Sequence, residues 1–331
     1  METLVKKPDE QSLELASNII KTGGLVAFKT ETVYGLGADA YNVEAVKNIF
    51  AVKGRPADNP LIVHLSDVSQ ILNVAKRITP LAQKLIDAFL PGALTLILDR
   101  ADSIPAVISA GLDTIAVRIP SDKTANAFLK AAGVPIAAPS ANTSTRPSPT
   151  TAMDVYEDLK GKIPLILDGG DCTIGLESTV IDARGEKPVI LRYGGVTQEQ
   201  IEKVLGFKLS ANTTDSKKPI APGMKYRHYA PNAEMYYVSY GKAEMVEKLY
   251  NDCQPKKTVV IAINNTLPAP KSYQNFCSLG IDAKDAAHNL FRLLRELEKE
   301  YEVIIAYACP EEGLGVSVNS RMKKAAGKNI I

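Results

Sequence analysis

The chain has 331 residues, of which 45% are hydrophobic and 23% are charged, a composition typical of a globular protein with room for about two domains. Its 39 basic and 37 acidic residues leave a net charge of only +2, so no bulk positive field marks the chain as a nucleic-acid binder. No stretch approaches the ~20 apolar residues of a membrane span, and the opening METLVKKPDEQ lacks the apolar core of a signal peptide.

Helix-like and strand-like segments alternate along the first two thirds of the chain. Amphipathic spacing and capping residues predict helices at DEQSLELASNIIKTGG, VEAVKNIFAVK, TPLAQKLIDAFLPG, DKTANAFLKAAG and TTAMDVYEDLKG. Short apolar runs predict strands at LVAF, LIVHL, LTLIL, TIAVRI, PIAAPS, LILDGG, STVIDA and VILRYGG. The last strands follow one another without helices between them, which predicts a twisted mixed sheet rather than a purely parallel one.

A polar segment, KLSANTTDSKKPIAPGMK, separates this series from a second one and has the composition of a linker. Beyond it, strand and helix patterns again alternate and predict a small Rossmann-like module. The segment GLGVSVN near the end is too short a glycine signal to predict a dinucleotide site. We therefore predict an α/β protein with a catalytic domain at 10–206, a linker that doubles as a lid at 207–232, and a smaller domain at 233–331.

Familiar catalytic signatures, such as GxxxxGK[ST], HExxH and GxSxG, are missing. The four cysteines are scattered, without CxxC or Cys/His metal spacing, which favours reduced thiols in a cytoplasmic protein. Four polar segments instead adjoin predicted strands: TETVYG, KGRPADNP, PSANTSTRPSPTT and GLEST.

Each polar segment alone is also compatible with a capped turn, a solvated loop or a flexible linker. Lys53 and Arg55 suit a phosphate or a carboxylate, and Arg118 and Arg192 each end an apolar strand. Together the segments favour one basic, hydroxyl-rich cleft for a polyphosphate and a small zwitterion. Catalysis there would rest on positioning and charge neutralisation.

Several of these blocks, among them KTETVYGLGADA, KGRPADNPLIVHL, PIAAPSANTSTRPSPT and GLESTVID, closely resemble the YrdC-type threonylcarbamoyl-adenylate synthases. The likeness runs from about residue 12 to residue 205, and APGMKYRHYAP with the module after it resembles the long, two-domain form. Two positions depart from the usual pattern: Lys29 stands where proline is common, and Thr145 where glycine is common. The resemblance implies a YrdC-like catalytic domain followed by a Rossmann-like domain.

The resemblance also implies a reaction. L-threonine, bicarbonate or CO2, and ATP with Mg2+ would give threonylcarbamoyl-AMP and pyrophosphate, a nucleotidyl transfer. A separate transferase complex would use the product to modify a tRNA adenosine beside the anticodon, in the cytoplasm.

Site residues are implied motif by motif. The threonine-binding positions are Thr32, His64, Arg118, Ala138 and Ser178. The ATP-binding positions are Arg55, Asn59, Thr114, Ser140, Ser148, Arg192 and Tyr226. To Arg55 we add Lys53 as a second catalytic, phosphate-neutralising residue; the metal ligands are unassigned.

Two alternatives stay open. A double-stranded RNA or tRNA-binding factor without adenylating activity could also present a concave basic sheet, but the chain lacks a lysine-rich stripe and RNP-type aromatics. A hydrogenase-maturation carbamoyltransferase contains a similar domain, yet four scattered cysteines cannot supply its zinc modules. The segment GMKYRHYAP is predicted to fold over the nucleotide as a lid, with a simple tether as its alternative.

Overall fold

The computed structural model of the chain describes residues 1–209, 228–267 and 273–331, which form two compact units. The first unit holds Met1–Ser144, Pro149–Thr173 and 177–209. The second holds Thr145–Ser148, Ile174–Leu176 and the described residues from 228 onward. In these described ranges, no helix is both long and apolar enough to cross a membrane.

One ten-stranded sheet organises the first unit. Its strands are β1 (Leu4–Lys6), β2 (Val26–Phe28), β3 (Gly35–Asp39), β4 (Ile62–His64), β5 (Leu94–Asp99), β6 (Thr114–Arg118), β7 (Ile136–Ala137), β8 (Leu165–Leu167), β9 (Thr179–Asp182) and β10 (Val189–Arg192). They lie in the order β1-β8-β2-β3-β7-β4-β6-β5-β9-β10. The sheet contains parallel pairs, such as β4 with β6, and antiparallel pairs, such as β5 with β6, so the predicted mixed sheet is confirmed.

The helices of the first unit are α1 (Glu10–Lys21), α2 (Val43–Lys53), α3 (Ile71–Val74), α4 (Pro80–Phe89), α5 (Lys123–Ala132), α6 (Ala152–Leu159) and α7 (Gln198–Leu205), with a 3-10 turn at Val68–Gln70. Local chemistry sets their ends. Asp122 caps α5 by accepting from two backbone N–H groups, and Gly133 ends it at φ +70°, where a side chain would be strained. Helices α1 and α5 pack on β2 and β8 through residues that include Ile20, Phe28 and Phe128.

The segment from Phe28 to Asn42 differs from the sequence expectation. We expected a loop between a strand and a helix, but Gly35–Asp39 forms β3, which pairs antiparallel with β2. Gly37 has no side chain to mark a strand, and a Cβ on it would lie 2.8 Å from Ile136. The strand therefore depends on close backbone packing and not on an apolar run.

The second unit contains a four-stranded, all-parallel sheet with three helices among its described elements. It comprises β11 (Glu234–Val238), α8 (Ala243–Asp252), β12 (Thr258–Ala262), β13 (Phe276–Ser278), α9 (Ala283–Leu297), β14 (Val303–Tyr307) and α10 (Leu314–Ala326). The sheet order is β11-β14-β12-β13, which confirms a smaller Rossmann-like α/β unit. The apolar face of α9 packs into the core, since Leu290 and Leu294 are fully buried.

The units divide the chain less simply than the predicted boundaries do. Thr145–Ser148 and Ile174–Leu176 lie within the predicted catalytic domain in sequence but cluster with the second unit in space. Inside that unit Arg146 pairs with Glu298, with Nη2 2.5 Å from Oε1, and Arg295 donates to the Pro147 carbonyl at 2.6 Å. Most of the predicted linker, 210–227, lies outside the described residues.

Candidate active site

The loop after β2 is held in shape by a threonine. The Thr30 hydroxyl accepts hydrogen bonds from the backbone N–H groups of Thr32 and Val33, each at 3.2 Å, and donates to the Val33 carbonyl at 2.6 Å. It also lies 2.8 Å from the Thr32 hydroxyl. In turns of this kind a threonine hydroxyl satisfies backbone groups that would otherwise form hydrogen bonds to a neighbouring strand. The Thr32 side chain is consequently fixed and fully buried.

Arg118, at the end of β6, faces this loop. Its Nη1 donates to the Thr32 hydroxyl at 2.8 Å, its Nε donates to the Gly92 carbonyl at 3.2 Å, and its Nη2 lies 2.8 Å from Glu31 Oε1. Burial raises the pKa of the Glu31 carboxyl, but the charge and hydrogen bonding of Arg118, together with the backbone N–H groups of Glu31 and Ser121, outweigh burial and hold that pKa below its usual value. The Glu31–Arg118 pair is therefore ionised in a buried setting.

His64 ends β4 and is the register partner of Arg118 in the neighbouring parallel strand. Its ring is 4% exposed, and its Nδ1 lies 3.2 Å from the Ile62 carbonyl. Burial, assisted by the charge of Arg118, lowers the pKa of His64 to about 3. His64 is thus a neutral polar group beside Arg118 and adds no charge to the site.

Ser178 and Arg192 are in direct contact. Arg192 donates from Nη2 to the Ser178 hydroxyl at 3.2 Å and from Nε to the Ser178 carbonyl at 3.1 Å. On its other side the Ser178 hydroxyl lies 2.7 Å from the hydroxyl of Thr95 in β5. The sequence analysis assigned Ser178 to threonine binding and Arg192 to ATP binding. One residue of each predicted set therefore lies in contact with one of the other.

Lys53 occupies the last turn of α2 and is 2% exposed. Its Nζ donates to the Ser140 carbonyl at 2.5 Å and to the Asn142 carbonyl. The Ser140 hydroxyl in turn donates to Asn142 Oδ1 at 2.6 Å. In this arrangement Lys53 fixes the loop after β7, and the phosphate neutralisation that we predicted for it stays a prediction.

Arg55 and Asn59 lie within the second polar segment, KGRPADNP. Arg55 is half-buried, and its Nη2 donates to the Pro60 carbonyl at 3.1 Å. Asn59 is 1% exposed, and its Oδ1 has no hydrogen-bond partner within the described part of the chain. Thr114 opens β6, four residues before Arg118 on the same face. The Asn59 oxygen is therefore an acceptor that a ligand could use.

Three further predicted positions, Ala138, Ser148 and Tyr226, differ in where the structure places them. The Ala138 backbone N–H donates to the Ile62 carbonyl at 2.9 Å, so a ligand at this position would meet the carbonyl and not the N–H. Ser148 is buried, but it lies in the segment that belongs to the second unit. Tyr226 lies outside the described residues.

Metal donors are sparse. Across 1–209, 228–267 and 273–331, no three His, Cys, Asp or Glu side chains lie close enough together to hold a metal ion. Mg2+ takes phosphate oxygens readily and needs only one or two carboxylates.

Sequence reasoning left Glu31, Thr95 and Asn142 without a role. Glu31 and Asn142 stand inside the polar segments that we singled out, and their proximity to the assigned residues was the available signal. Thr95 interrupts the apolar run LTLIL, and nothing in that run indicates that its hydroxyl meets Ser178.

The chain matches two family models, one after the other along the sequence. A Sua5/YciO/YrdC family model, described as telomere recombination, matches residues 18–194, and the threonylcarbamoyl-AMP synthase C-terminal domain model matches residues 196–327. Two relatives named threonylcarbamoyl-AMP synthase cover 98% of this chain. The Pyrococcus abyssi protein is 44% identical and covered over 96% of its length, and the Bacillus subtilis protein is 41% identical and covered over 95%.

Solved structures extend the match to the fold. Sua5 of P. abyssi complexed with L-threonine has a TM-score of 0.89 and 42% identity, with 100% of this chain and 98% of that chain covered. Escherichia coli YciO, at 24% identity, has a TM-score of 0.52 over 58% of this chain and 95% of that chain, and shows a shared fold for the catalytic part alone. With both family models matched in order and relatives aligned along nearly its whole length, the chain belongs to the two-domain Sua5 family of threonylcarbamoyl-AMP synthases.

Proposed function

We propose that the chain synthesises L-threonylcarbamoyl-AMP from L-threonine, bicarbonate or CO2, and ATP, with release of pyrophosphate. The observation that carries the proposal is the buried Thr32–Arg118 contact. It offers a fixed hydroxyl and a guanidinium, which suit the hydroxyl and the carboxylate of threonine. It lies in a chain whose fold is matched throughout by a relative solved with L-threonine.

The chemistry needs positioning and charge more than a protein nucleophile. The threonine nitrogen takes up CO2 to form a carbamate, and a carbamate oxygen then attacks the α-phosphorus of ATP while pyrophosphate leaves. Both reactants are anionic. Because Ser178 and Arg192 touch, a threonine bound at Ser178 would lie beside a phosphate bound at Arg192, as an in-line attack requires.

Other residues would serve the ATP side. Arg55, Asn59, Thr114, Ser140, Ser148 and Tyr226 stay our assignments for nucleotide binding. Lys53 stays our phosphate-neutralising residue, and it also holds the loop that carries Ser140. Mg2+ bound with ATP would bridge phosphate oxygens and neutralise their charge. A separate transferase complex in the cytoplasm would pass the threonylcarbamoyl group to tRNA.

Pyrophosphate release from ATP tests the proposal, with threonine and bicarbonate each omitted in turn. We expect release only when both are present. Serine should be a much poorer substrate, because one missing methyl is worth about 1–3 kcal/mol in a fitted pocket.

Equal turnover with serine, or turnover with no amino acid, would contradict the assignment of threonine. Salt-sensitive RNA binding without threonine-dependent turnover would favour the RNA-binding alternative.

A further inference from the structure

Glu31 is a buried carboxylate in the site, and the proposed reaction leaves it unused. It directly precedes Thr32, and its Oε1 lies 2.8 Å from Arg118 Nη2. Its side chain is 7% exposed, although glutamate is almost never fully buried unless it is paired. The pairing with Arg118 accounts for part of this burial, but it uses only part of the capacity of the carboxylate to accept hydrogen bonds.

An ionised carboxylate can accept about four hydrogen bonds. Within the described ranges, neither Glu31 Oε1 nor Oε2 accepts a hydrogen bond of regular geometry, although the Arg118 side chain and the backbone N–H groups of Glu31 and Ser121 lie close enough to lower its pKa. Asp122, another acid beside the loop, differs in this respect: it caps α5 through the Thr124 and Ala125 N–H groups and pairs with Lys29 at 3.0 Å. Glu31 therefore retains acceptor positions that a bound cation could fill.

Charges around the loop balance one another. Lys29 opposes Asp122, and Arg118 opposes Glu31, while the lowered pKa of His64 keeps that ring neutral. An amino acid with one positive and one negative group enters such a site without burying net charge. A simple anion would add a charge with no partner, which is costly in a buried setting.

We propose that Glu31 binds the ammonium group of the threonine substrate while Arg118 binds its carboxylate. The inference rests on the proposed function for the identity of the amino acid, and it adds the residue that recognises the amino group. Glu31 has a binding role only. The nitrogen must lose its proton before it attacks CO2, and a carboxylate with a lowered pKa is a weak acceptor for that proton.

A purely positioning role for Glu31 makes a different prediction. If the carboxylate only holds Arg118 in place, its loss weakens every ligand that uses Arg118, whether or not the ligand carries an amino group. If the carboxylate binds the ammonium, its loss weakens threonine selectively. The same loss removes a repulsion against ligands that carry a carboxylate alone.

The test compares two ligands on wild-type protein and Glu31→Gln. Calorimetry measures L-threonine binding, and (R)-3-hydroxybutanoate, which is threonine without its amino group, is added as a competitor. We expect Glu31→Gln to weaken threonine binding by at least roughly tenfold while the analogue competes as well as before or better. Glu44→Gln, which alters a glutamate whose side chain is 78% exposed, is the matched control and should change neither affinity.

Equal weakening of both ligands would overturn the proposal and leave Glu31 as a positioning residue. Unchanged threonine binding, or failure of the analogue to compete on the variant, would also overturn it. If wild-type protein does not bind threonine at all, the proposed function itself fails, which separates the two failures.

A crystal structure of the wild-type protein with L-threonine tests the same point without any variant. The threonine nitrogen should lie within about 3 Å of a Glu31 carboxylate oxygen. A nitrogen turned away from Glu31 would contradict the proposal even if Glu31→Gln does not fold.

Discussion

Arg118 shows how much of the site depends on the shape of one side chain. Its guanidinium contacts the Gly92 carbonyl, the Thr32 hydroxyl and the Glu31 carboxylate. A guanidinium carries five N–H donors in a planar fork, so at least two donors remain beyond these three contacts. A lysine ammonium carries its three donors on one atom and cannot reach the same set of partners.

We expect Arg118→Lys to raise the KM for threonine by roughly tenfold or more, with a smaller effect on the KM for ATP. Steady-state pyrophosphate release, measured against each substrate in turn, provides both constants. Arg184→Lys is a suitable control, because Arg184 pairs with Asp182 at a partly exposed position and is not among the residues assigned to either substrate. An unchanged threonine KM would show that Arg118 is only a structural residue at the end of a strand.

His64 makes stability depend on pH. Its pKa is lowered to about 3 in the folded protein, whereas an unfolded histidine has a pKa of about 6.5. Between these values the unfolded chain binds a proton that the folded chain does not. The free energy of unfolding therefore falls as pH decreases from about 6.5, with a slope approaching about 1.4 kcal/mol per pH unit from this residue.

Urea unfolding at several pH values between about 5 and 8 checks this prediction. His64→Gln should flatten the pH dependence below the unfolded histidine pKa, and His288→Gln, at an exposed position of α9, should leave it unchanged. If His64→Gln retains the full wild-type slope, His64 is not the group that titrates.

At the scale of elements, the β2–β3 loop is tied to the start of α5 by a pair of charges. Lys29 Nζ lies 3.0 Å from Asp122 Oδ2, with 12% and 11% of the side chains exposed. Asp122 uses its other oxygen to cap α5. Lys29 is one of the two positions where the chain departs from the family pattern, and its ion-pair partner in the structure is Asp122.

Asp122→Asn separates the two tasks of Asp122, since asparagine still caps a helix but carries no charge. We expect a loss of stability of about 1 kcal/mol or less and a raised KM for threonine, because the loop carrying Thr32 loses its anchor. Thermal unfolding and pyrophosphate release measure these effects. Asp102→Asn, which breaks the exposed pair with Lys76, is the control; equal kinetics in both variants would count against the anchor.

Thr145 is the second departure from the family pattern, and its backbone explains why glycine is common there. Its φ is +77°, a conformation that costs a β-branched residue roughly 1–2 kcal/mol. Its side chain is exposed, so little packing offsets this cost. The backbone carbonyl nevertheless accepts a hydrogen bond from the Ala230 N–H at 2.9 Å, which any residue at position 145 can retain.

Thr145→Gly should raise the free energy of unfolding by up to about 1 kcal/mol, the strain relieved less the entropy that glycine loses on folding. Chemical denaturation measures the change. Thr22→Gly is the matched control: Thr22 is exposed, has φ −89° and donates to the Asn18 carbonyl, so glycine there should destabilise. A destabilised Thr145→Gly would mean that the strain is absent.

At the scale of the whole molecule, the second unit includes pieces of chain from far upstream. Glu298 holds Arg146 through both carboxylate oxygens, at 2.5 and 3.0 Å, and accepts from the Asn232 N–H at 2.6 Å. Arg295 adds the contact with the Pro147 carbonyl. A chain that ends before the second unit would keep 145–148 but lose every one of these partners.

Deleting everything after Leu209 should leave the first domain folded, with a lower unfolding temperature and sharply reduced synthesis of threonylcarbamoyl-AMP. Circular dichroism and product formation measure the two effects. In the full chain, Glu298→Gln should reproduce part of the loss, whereas Glu296→Gln, which breaks the exposed pair with Arg292 on the same helix, should not. A truncated protein with near-full synthesis would show that the second unit is dispensable.

The sequence by itself determined those features that local rules control. Capping residues and glycines predicted the helices near their observed ends, because four backbone groups at each end must be satisfied nearby. Consecutive strands without helices between them predicted the mixed sheet. The order of the motifs was enough to assign five residues to one predicted site: Thr32, His64, Arg118, Ser178 and Arg192.

Only the tertiary structure decided which of these side chains meet. Strand β3 carries no apolar run and exists through pairing with β2 and β7, and Lys53 is turned inward by carbonyls 87 and 89 residues away. The ion pair of Glu31 with Arg118 spans a similar distance along the chain. Periodicity and capping depend on residues within a few positions of one another, whereas burial and strand pairing depend on segments far apart in the chain. For that reason the charged residues of this site could be identified from the sequence, but their contact partners could not.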